Sequence, residues 1–221
     1  MSESHNMKIL SAVPVLYSYF WTKLCLSRIN GEVLIIDNDS QENIKELIEP
    51  YPRKIVNAEN IYVNPAWNQA MRYFMKTDFD LLAIISSDVA MMKNWESFVD
   101  AYFDNQIMIP KILTIPAGDM KKRVTMSSSN KLVTGDNPGV FILLTREMVE
   151  KVYPIPETLK IWFGDEWIFK ILMNAGHEMR IYESLNCVHG NSRSVEGLGA
   201  HGQEVIKQDK KAWIHECTRI S

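Results

Sequence analysis

Short apolar runs alternate with stretches of helical periodicity through the first half of the chain. Two of the runs, Glu32–Ile36 and Leu81–Ile85, are nearly continuous, which is typical of strands buried on both faces of a parallel sheet. The alternation predicts a mostly parallel α/β sheet flanked by helices. The predicted strands of this half are Lys8–Val13, with Pro14 as its end, Glu32–Ile36, Lys54–Val56 and Leu81–Ile85; the predicted helices are Tyr17–Ile29, Glu42–Ile48, Pro65–Met75 and Lys93–Phe103.

The second half of the chain has a less regular pattern. Ile107–Ile115 predicts one or two strands interrupted by Pro110, and the Ser- and Gly-containing stretch Ala117–Gly139 predicts a loop. Since neither an internal repeat nor an interdomain linker is present, we expect one domain over residues 1–221. The remaining predicted strands are Val140–Leu144, Met179–Tyr182 and Asn186–His189, and the remaining predicted helices are Arg146–Val152, Asp165–Asn174 and Gln203–Glu216.

Composition and charge narrow the class of protein. A hydrophobic fraction of 46% fits a packed globular chain, and a net charge of −3 gives no electrostatic footprint for nucleic acid or an anionic membrane. The apolar runs are shorter than the roughly 20 residues of a membrane-spanning helix. Three widely spaced cysteines, Cys25, Cys187 and Cys217, indicate reduced thiols rather than a disulfide framework or a zinc site. We therefore expect a soluble cytoplasmic protein without a transmembrane segment or a nucleic-acid partner.

Polar side chains follow three of the predicted strands. Asp37–Asp39 and Ser86–Asp88 come directly after two buried strands, and His189 closes the last predicted strand. In open parallel sheets, ligands bind beyond the carboxyl ends of the strands. Carboxylates and an imidazole at such an edge can hold a hard divalent cation beside phosphate groups. The alternative for each aspartate is that it only caps the helix that follows it.

The glycine-rich phosphate-binding motifs of common nucleotide-binding folds are missing from the places where those folds need them. The sequence contains no G-x-x-x-x-G-K-[ST], and no G-x-G-x-x-G stands directly after the first predicted strand. A nucleotide that binds this chain must therefore be held by side chains and a metal ion.

Six short motifs then follow one another over residues 8–190. They are AVPVLYS (12–18), IIDNDS (35–40), NPAWNQAM (64–71), IISSDV (84–89), GDEWIFKILMNAG (164–176) and CVH (187–189). In this order they resemble the GT-A glycosyltransferases, and in particular the large family 2-like group. The resemblance implies a GT-A fold with a Rossmann-like nucleotide-sugar-binding half over about residues 7–105 and an acceptor or catalytic half over about residues 106–221.

The resemblance also implies an activity and a set of site residues. It implies a metal-dependent hexosyltransferase that moves a sugar from a nucleoside diphosphate sugar, with UDP as the first choice, to a hydroxyl acceptor such as a glycan. Asp88 and His189 would hold Mn²⁺ or Mg²⁺, and Asp165 or the adjacent Glu166 would be the general base. The donor-binding residues would be Pro14, Asp37, Asn38, Asp39, Asn64, Asn68, Ser86 and Ser87.

The Gly-containing segment Asn191–Gly202 follows the candidate ligand His189 directly. Arg193 could pair there with phosphate oxygens of the donor, and the segment could close over it and exclude water. We expect this segment not to form a packed element by itself.

Departures from the family pattern leave alternatives open. Ser86 and Ser87 stand where the leading carboxylates of a D-x-D or D-D motif usually lie, and Gly164 stands where a Glu commonly precedes the base. A non-catalytic sugar- or nucleotide-binding module on the same fold is therefore an alternative. A sugar-nucleotide nucleotidyltransferase is another, although AVPVLYS lacks the glycine-rich basic loop that such an enzyme needs. Four tryptophans could stack on sugars, with core packing as the alternative for each: Trp67, Trp95, Trp162 and Trp167.

Overall fold

The computed structural model describes residues 7–114, 139–190 and 198–220. Within these ranges, eight strands and seven helices account for most of the chain. In chain order they are β1 (Ile9–Val15), α1 (Tyr19–Leu26), β2 (Glu32–Asp37), α2 (Glu42–Ile48), β3 (Arg53–Val56), α3 (Val63–Phe74), β4 (Leu81–Ile85), β5 (Val89–Met91), α4 (Trp95–Tyr102), β6 (Ile107–Thr114), β7 (Phe141–Thr145), α5 (Arg146–Val152), α6 (Gly164–Asn174), β8 (Met179–His189) and α7 (Gly199–Arg219).

Five strands form the larger sheet, in the order β3-β2-β1-β4-β7. The first four run parallel, and β7 pairs antiparallel with β4. Successive residues of each central strand enter opposite faces of the sheet: Val13 and Ile35 belong to one apolar cluster, and Ala12 and Leu34 belong to the other. Both faces are therefore buried, which explains the continuous apolar runs in the sequence. The expected mostly parallel α/β sheet flanked by helices is confirmed.

A second sheet has the order β5-β8-β6, with β8 antiparallel to β5 and parallel to β6. The sequence pattern missed β5, which is only three residues long. The prediction of two short strands after Met179 was wrong, because β8 is one strand of 11 residues. Its pairing with β6 passes from Pro110↔Tyr182 directly to Lys111↔Asn186, so three residues of β8 bulge out between the paired segments. This bulge lies where the apolar pattern is interrupted.

The end of β1 also differs from the prediction. Pro14 does not end this strand, since Pro14 is aligned with Ile36 and Val15 with Asp37 of β2. The alignment of β1 with β4 stops at Ala12. Pro14 therefore lies beyond the part of β1 that has neighbours on both sides, where a missing N–H interrupts no bond to β4.

The last helix begins four residues earlier than its apolar pattern predicts, at Gly199 instead of Gln203. Gly202 permits this early start, because a Cβ atom at that position would lie 2.6 Å from Cβ of Leu198. The glycines that favoured a loop thus allow a tight first turn. No helix within residues 7–114, 139–190 and 198–220 is long and apolar enough to cross a membrane.

Candidate functional site

A cavity of about 410 Å³ lies at the carboxyl ends of β1, β2 and β4. Strand ends and the turns that follow them form one part of its lining, named here the strand-end wall, and the segment that leads into α6 forms another part, named here the opposite wall. The strand-end wall includes Pro14, Val15, Leu16, Asn38, Ser86, Ser87, Asp88 and His189. The opposite wall includes Ile161, Trp162, Phe163, Asp165 and Glu166, and the remaining lining residues are Asn60, Tyr62, Val63, Trp67, Gly139, Val140 and Leu198.

Asp88 and His189 lie together in the strand-end wall, with 3.4 Å between Oδ2 of Asp88 and Nε2 of His189. Two backbone features produce this contact. A tight turn after β4, in which Val89 N–H donates to the carbonyl of Ser86, carries Asp88, and the pairing of β5 with β8 sets His189 opposite Val89. The N–H of Gly190 closes the arrangement by donating to the Asp88 carbonyl at 2.8 Å. Both side chains are about nine-tenths buried.

The donor set of this pair fits one side of a Mn²⁺ or Mg²⁺ site. A carboxylate oxygen suits both ions, an imidazole nitrogen suits Mn²⁺ better than the harder Mg²⁺, and adjacent ligands of an octahedral ion are about 3 Å apart when each bond is about 2.1 Å long. Within the part of the chain that the structure describes, no group of three or more His, Cys, Asp or Glu side chains is placed to hold a metal. Asp88 and His189 would therefore need ligands from the substrate or from water, as Mg²⁺ sites commonly use.

Ser86 and Ser87, which stand where a D-x-D or D-D motif has its leading carboxylates, line the cavity next to Asp88. The turn that carries them packs on Cys25, whose Sγ lies 3.7 Å from the carbonyl oxygen of Ser86. Burial, and secondarily the charge of Asp88, raise the pKa of Cys25 far above its usual range. Cys25 is therefore a protonated thiol that supports the turn and is not a nucleophile.

Asp165 and Glu166 form the first turn of α6 on the opposite wall, and both line the cavity. Asp165 is half-buried, and its Oδ2 accepts the N–H of Gly139 at 2.6 Å. The two residues are so close that a Cβ atom at position 139 would lie 2.2 Å from Cβ of Asp165. Glu166 is exposed to solvent. The N–H of Gly139 thus fixes the orientation of the Asp165 carboxylate. The sequence pattern had predicted Gly139 as the end of a loop.

The three candidates after β2 lie in different environments. Asn38 lines the cavity. Asp37 is buried outside the cavity wall, where its Oδ1 accepts the N–H of Ser40 at 2.8 Å. Asp39 is exposed, has a positive φ of 59° and lies 3.5 Å from Nζ of Lys45. Asp37 therefore stabilises the strand-to-helix turn, which was the alternative to donor binding.

Asn64 and Asn68 on α3 also lie outside the cavity wall. The side chain of Asn64 donates to the carbonyl of Trp162 at 2.9 Å. The amide of Asn68 bonds both backbone groups of Ile155, at 2.8 and 2.9 Å. Both side chains connect α3 to the chain between α5 and α6. Arg193 lies outside the described residues.

Tyr62 is a cavity residue that the sequence patterns did not indicate. It has a φ of 69°, which is strained for a residue with a side chain. Its N–H donates to Oδ1 of Asn60, its carbonyl accepts from Nδ2 of Asn38, and its hydroxyl lies 2.7 Å from Nε2 of His201 on α7. Tyr62 thus connects the strand-end wall to the last helix. No local sequence signal marks it, since these partners come from three separate segments.

Two of the four tryptophans line the cavity. Trp67 is buried there, and Trp162 is 42% exposed, with Nζ of Lys210 lying 5.1 Å from its ring centroid. Trp95 is fully buried in the core, and the indole N–H of Trp167 donates to a backbone carbonyl. Core packing, the alternative to sugar stacking, therefore describes Trp95.

No family model and no curated protein matches this sequence. Among solved structures, the chain is similar to GalNAc-T7, crystallised with UDP, GalNAc and Mn²⁺, with a TM-score of 0.61 and 12% identity. That match covers 83% of this chain but only 43% of GalNAc-T7. The chain is also similar to residues 1–349 of TarS from S. aureus, with a TM-score of 0.62 and 14% identity over 95% of this chain and 72% of that one. Both are GT-A-type glycosyltransferases, and this protein has the GT-A fold.

Proposed function

We propose that this protein is a metal-dependent glycosyltransferase that transfers a sugar from a nucleoside diphosphate sugar to a hydroxyl acceptor. The observation that carries the proposal is the buried contact of Asp88 with His189 at the carboxyl edge of the sheet, in one cavity with the carboxylate of Asp165. The first donor to test is a UDP-sugar, since GalNAc-T7, which shares this fold, was crystallised with UDP and Mn²⁺.

The strand-end wall is the donor side in this proposal. Asp88 and His189 would hold Mn²⁺ or Mg²⁺, which supplies Lewis-acid stabilisation of the charge on the leaving diphosphate. The hydroxyl groups of Ser86 and Ser87 offer hydrogen bonds to ribose and phosphate oxygens, whereas the amide of Asn38 already bonds Tyr62 and Asn57. Side chains thereby replace the backbone cradle of a glycine-rich loop.

The opposite wall supplies the base. In an inverting reaction, the acceptor hydroxyl attacks the anomeric carbon while the bond from that carbon to the diphosphate oxygen breaks. Asp165 takes the hydroxyl proton, and the bonding electrons leave with the diphosphate. The N–H of Gly139 holds one oxygen of the Asp165 carboxylate in place, so the base is oriented before the acceptor arrives. Glu166 is the alternative base, but its exposure makes it the weaker candidate.

A thermal-shift panel followed by a turnover assay tests the proposal. UDP-glucose, UDP-galactose, UDP-GlcNAc and UDP-GalNAc are each added with and without Mn²⁺, and ADP-glucose and GDP-mannose serve as controls. We expect stabilisation by at least one nucleotide sugar that depends on Mn²⁺, and release of the nucleoside diphosphate from that donor. Binding without any turnover would support the non-catalytic module instead, and no Mn²⁺-dependent binding at all would contradict the proposal.

A further inference from the structure

Asp209 is a fully buried carboxylate on α7, far along the chain from the proposed catalytic residues. Its two oxygens accept three backbone N–H groups: Oδ1 accepts from Lys160 at 2.9 Å, and Oδ2 accepts from Ile161 at 2.7 Å and from Trp162 at 2.8 Å. A buried charge is costly unless it is compensated, and three convergent N–H groups provide that compensation. The Asp209 carboxylate thus satisfies the backbone N–H groups of residues 160–162, and they in turn compensate its charge.

The segment that Asp209 binds has no regular secondary structure, and it leads directly into the proposed catalytic helix. Ile161, Trp162 and Phe163 line the cavity, and α6 begins at the next residue, immediately before Asp165. Since no strand pairing orders these residues, their positions depend on hydrogen bonds from elsewhere in the chain, among them one from the backbone N–H of Asn64 to the carbonyl of Lys160 at 3.0 Å. Asp209 supplies three of these bonds from one side, and Asn64 bonds the same segment from α3.

Stability alone does not account for a carboxylate at this position. Buried charged groups contribute little net stability compared with well-packed apolar residues of similar volume. The apolar stripe of α7 includes Val205, Ile206 and Trp213, which pack into apolar clusters, and Asp209 interrupts that stripe. An apolar side chain could fill the same space, but it could not accept hydrogen bonds. The carboxylate accepts three directional bonds and so fixes three consecutive peptide groups.

We propose that Asp209 is a positioning residue for the proposed transfer reaction. It holds residues 160–162 in place, so that Trp162 lines the cavity. The same support places the first turn of α6, with Asp165, at the edge of the cavity. Asp209 acts through the backbone and contacts no substrate. This inference rests on the proposed function for its kinetic consequence, whereas the placement of the segment can be tested independently of catalysis.

The substitution Asp209→Asn tests this role, because it keeps the shape and replaces one acceptor oxygen with an amide donor. If the remaining oxygen faces Ile161 and Trp162, the new NH₂ group faces the N–H of Lys160, and at least one of the three bonds is lost. The matched control is Glu216→Gln on the same helix. Glu216 is also buried and accepts from the hydroxyl of Thr158, but it bonds none of the three peptide groups.

Two measurements are made on both variants. Hydrogen exchange at the amides of residues 160–162 should be at least about tenfold faster in Asp209→Asn than in wild type and nearly unchanged in Glu216→Gln. For the donor that the wild type uses, Asp209→Asn should lower kcat by about 10- to 100-fold, because small misplacements of reacting groups cost that much. Its Kd for UDP in the presence of Mn²⁺ should stay within about twofold of wild type, because the strand-end wall is intact.

Unchanged exchange at residues 160–162 in Asp209→Asn would overturn the inference, and so would a wild-type kcat. An equal loss of kcat in Glu216→Gln would overturn it as well, since that result would show a general effect of loosening α7. A wild-type protein that turns over no nucleotide sugar would contradict the proposed function. In that case hydrogen exchange alone decides whether Asp209 positions the segment.

Discussion

The two walls of the cavity are held in different ways. The strand-end wall is positioned by backbone pairing, since Asp88 and His189 follow directly from the turn after β4 and the β5–β8 ladder. The opposite wall has no strand, and the segment 160–162 at its start is held by hydrogen bonds from residues that are distant in sequence, above all the three to the side chain of Asp209. Backbone pairing tolerates most side-chain changes, whereas a wall held by single side chains does not.

This difference separates two kinds of substitution. In the strand-end wall, replacing a polar side chain should remove chemistry and leave the structure in place. In the opposite wall, replacing a supporting residue should change the geometry or the stability of the site even when that residue contacts no substrate. Each prediction below tests one side of this comparison.

The largest effect is expected from Asp88→Asn. An amide binds a divalent cation more weakly than a carboxylate does, so the variant should lose Mn²⁺-dependent donor binding and about 10³-fold in kcat/KM. Its melting temperature should stay within about 3 °C of wild type, because the turn is held by backbone bonds. Isothermal titration with UDP and Mn²⁺ and steady-state kinetics measure the first effect, and calorimetry measures the second.

Asp78→Asn is the matched control for this variant. Asp78 precedes β4, at the other end of the same strand, and forms an exposed ion pair with Lys8, which contributes little to stability. Its kinetics should match wild type. Full Mn²⁺-dependent activity in Asp88→Asn would show that the strand-end wall does not hold the metal.

A smaller loss is expected from Asp165→Asn on the opposite wall. An amide cannot take the acceptor proton, so kcat should fall by about 10²-fold while the Kd for UDP with Mn²⁺ stays nearly constant. The Asn oxygen can still accept the N–H of Gly139, so the fold around it should persist. Glu166→Gln should lose much less activity. If Glu166→Gln loses more, the base is Glu166, and equal wild-type rates in both variants would rule out general-base catalysis by either.

The same comparison explains which features the sequence could predict. The buried strands β2 and β4 were predicted to within one residue, because a strand covered on both faces reads as a continuous apolar run. The same reasoning expected Asp88 and His189 at one sheet edge. The two side chains are in contact in the structure, but His189 ends a strand of the second sheet and lies opposite Val89 through the antiparallel pairing of β5 with β8. The short strand β5 and the bulge in β8 were missed, because pairing with a distant strand and not the local pattern defines them.

The opposite wall could not be derived from the sequence in the same way. The hydrogen bonds from residues 160–162 to Asp209 span 47 to 49 positions, and no local pattern encodes such a contact. One signal was available, namely an aspartate at an apolar position of an amphipathic helix, where burial demands a partner. It identifies the unusual residue but not what it binds. For Asn64 and Asn68, the motif likewise gave the residue types but not the directions of the side chains, which in the structure bond the backbone of Trp162 and Ile155.

The stability of the protein should respond to Gly164→Ala at the start of α6. A Cβ atom at position 164 would lie 2.2 Å from Oδ1 of Asn64, which is fully buried and bonded to Trp162. Overpacking of this kind costs about 1–3 kcal/mol, which corresponds to a melting temperature lower by about 3–10 °C. Gly31→Ala is the control, because the nearest atom to its added Cβ is 3.8 Å away, and it should change the melting temperature by less than about 2 °C. Equal melting temperatures for the two variants would show that the opposite wall accommodates the added methyl group without loss of stability.

The smallest effect concerns the reactivity of the three cysteine thiols in the native protein. A buried thiol reacts with a reagent only when the region around it opens to solvent. Cys25 and Cys187 are 1% exposed, and burial raises the pKa of Cys187 to about 12 and that of Cys25 still further. Since the thiolate is the reactive form, the Cys187 thiol should react very slowly at pH 8, and its reactivity should rise with pH. Cys217 on α7 is only half-buried. We therefore expect a disulfide reagent such as DTNB to modify one thiol readily at pH 8 and the other two only after denaturation with guanidinium. Rapid reaction of all three in the native state would show that the sheets beside the strand-end wall open, and the contrast between a wall fixed by backbone pairing and a wall held by side chains would no longer hold.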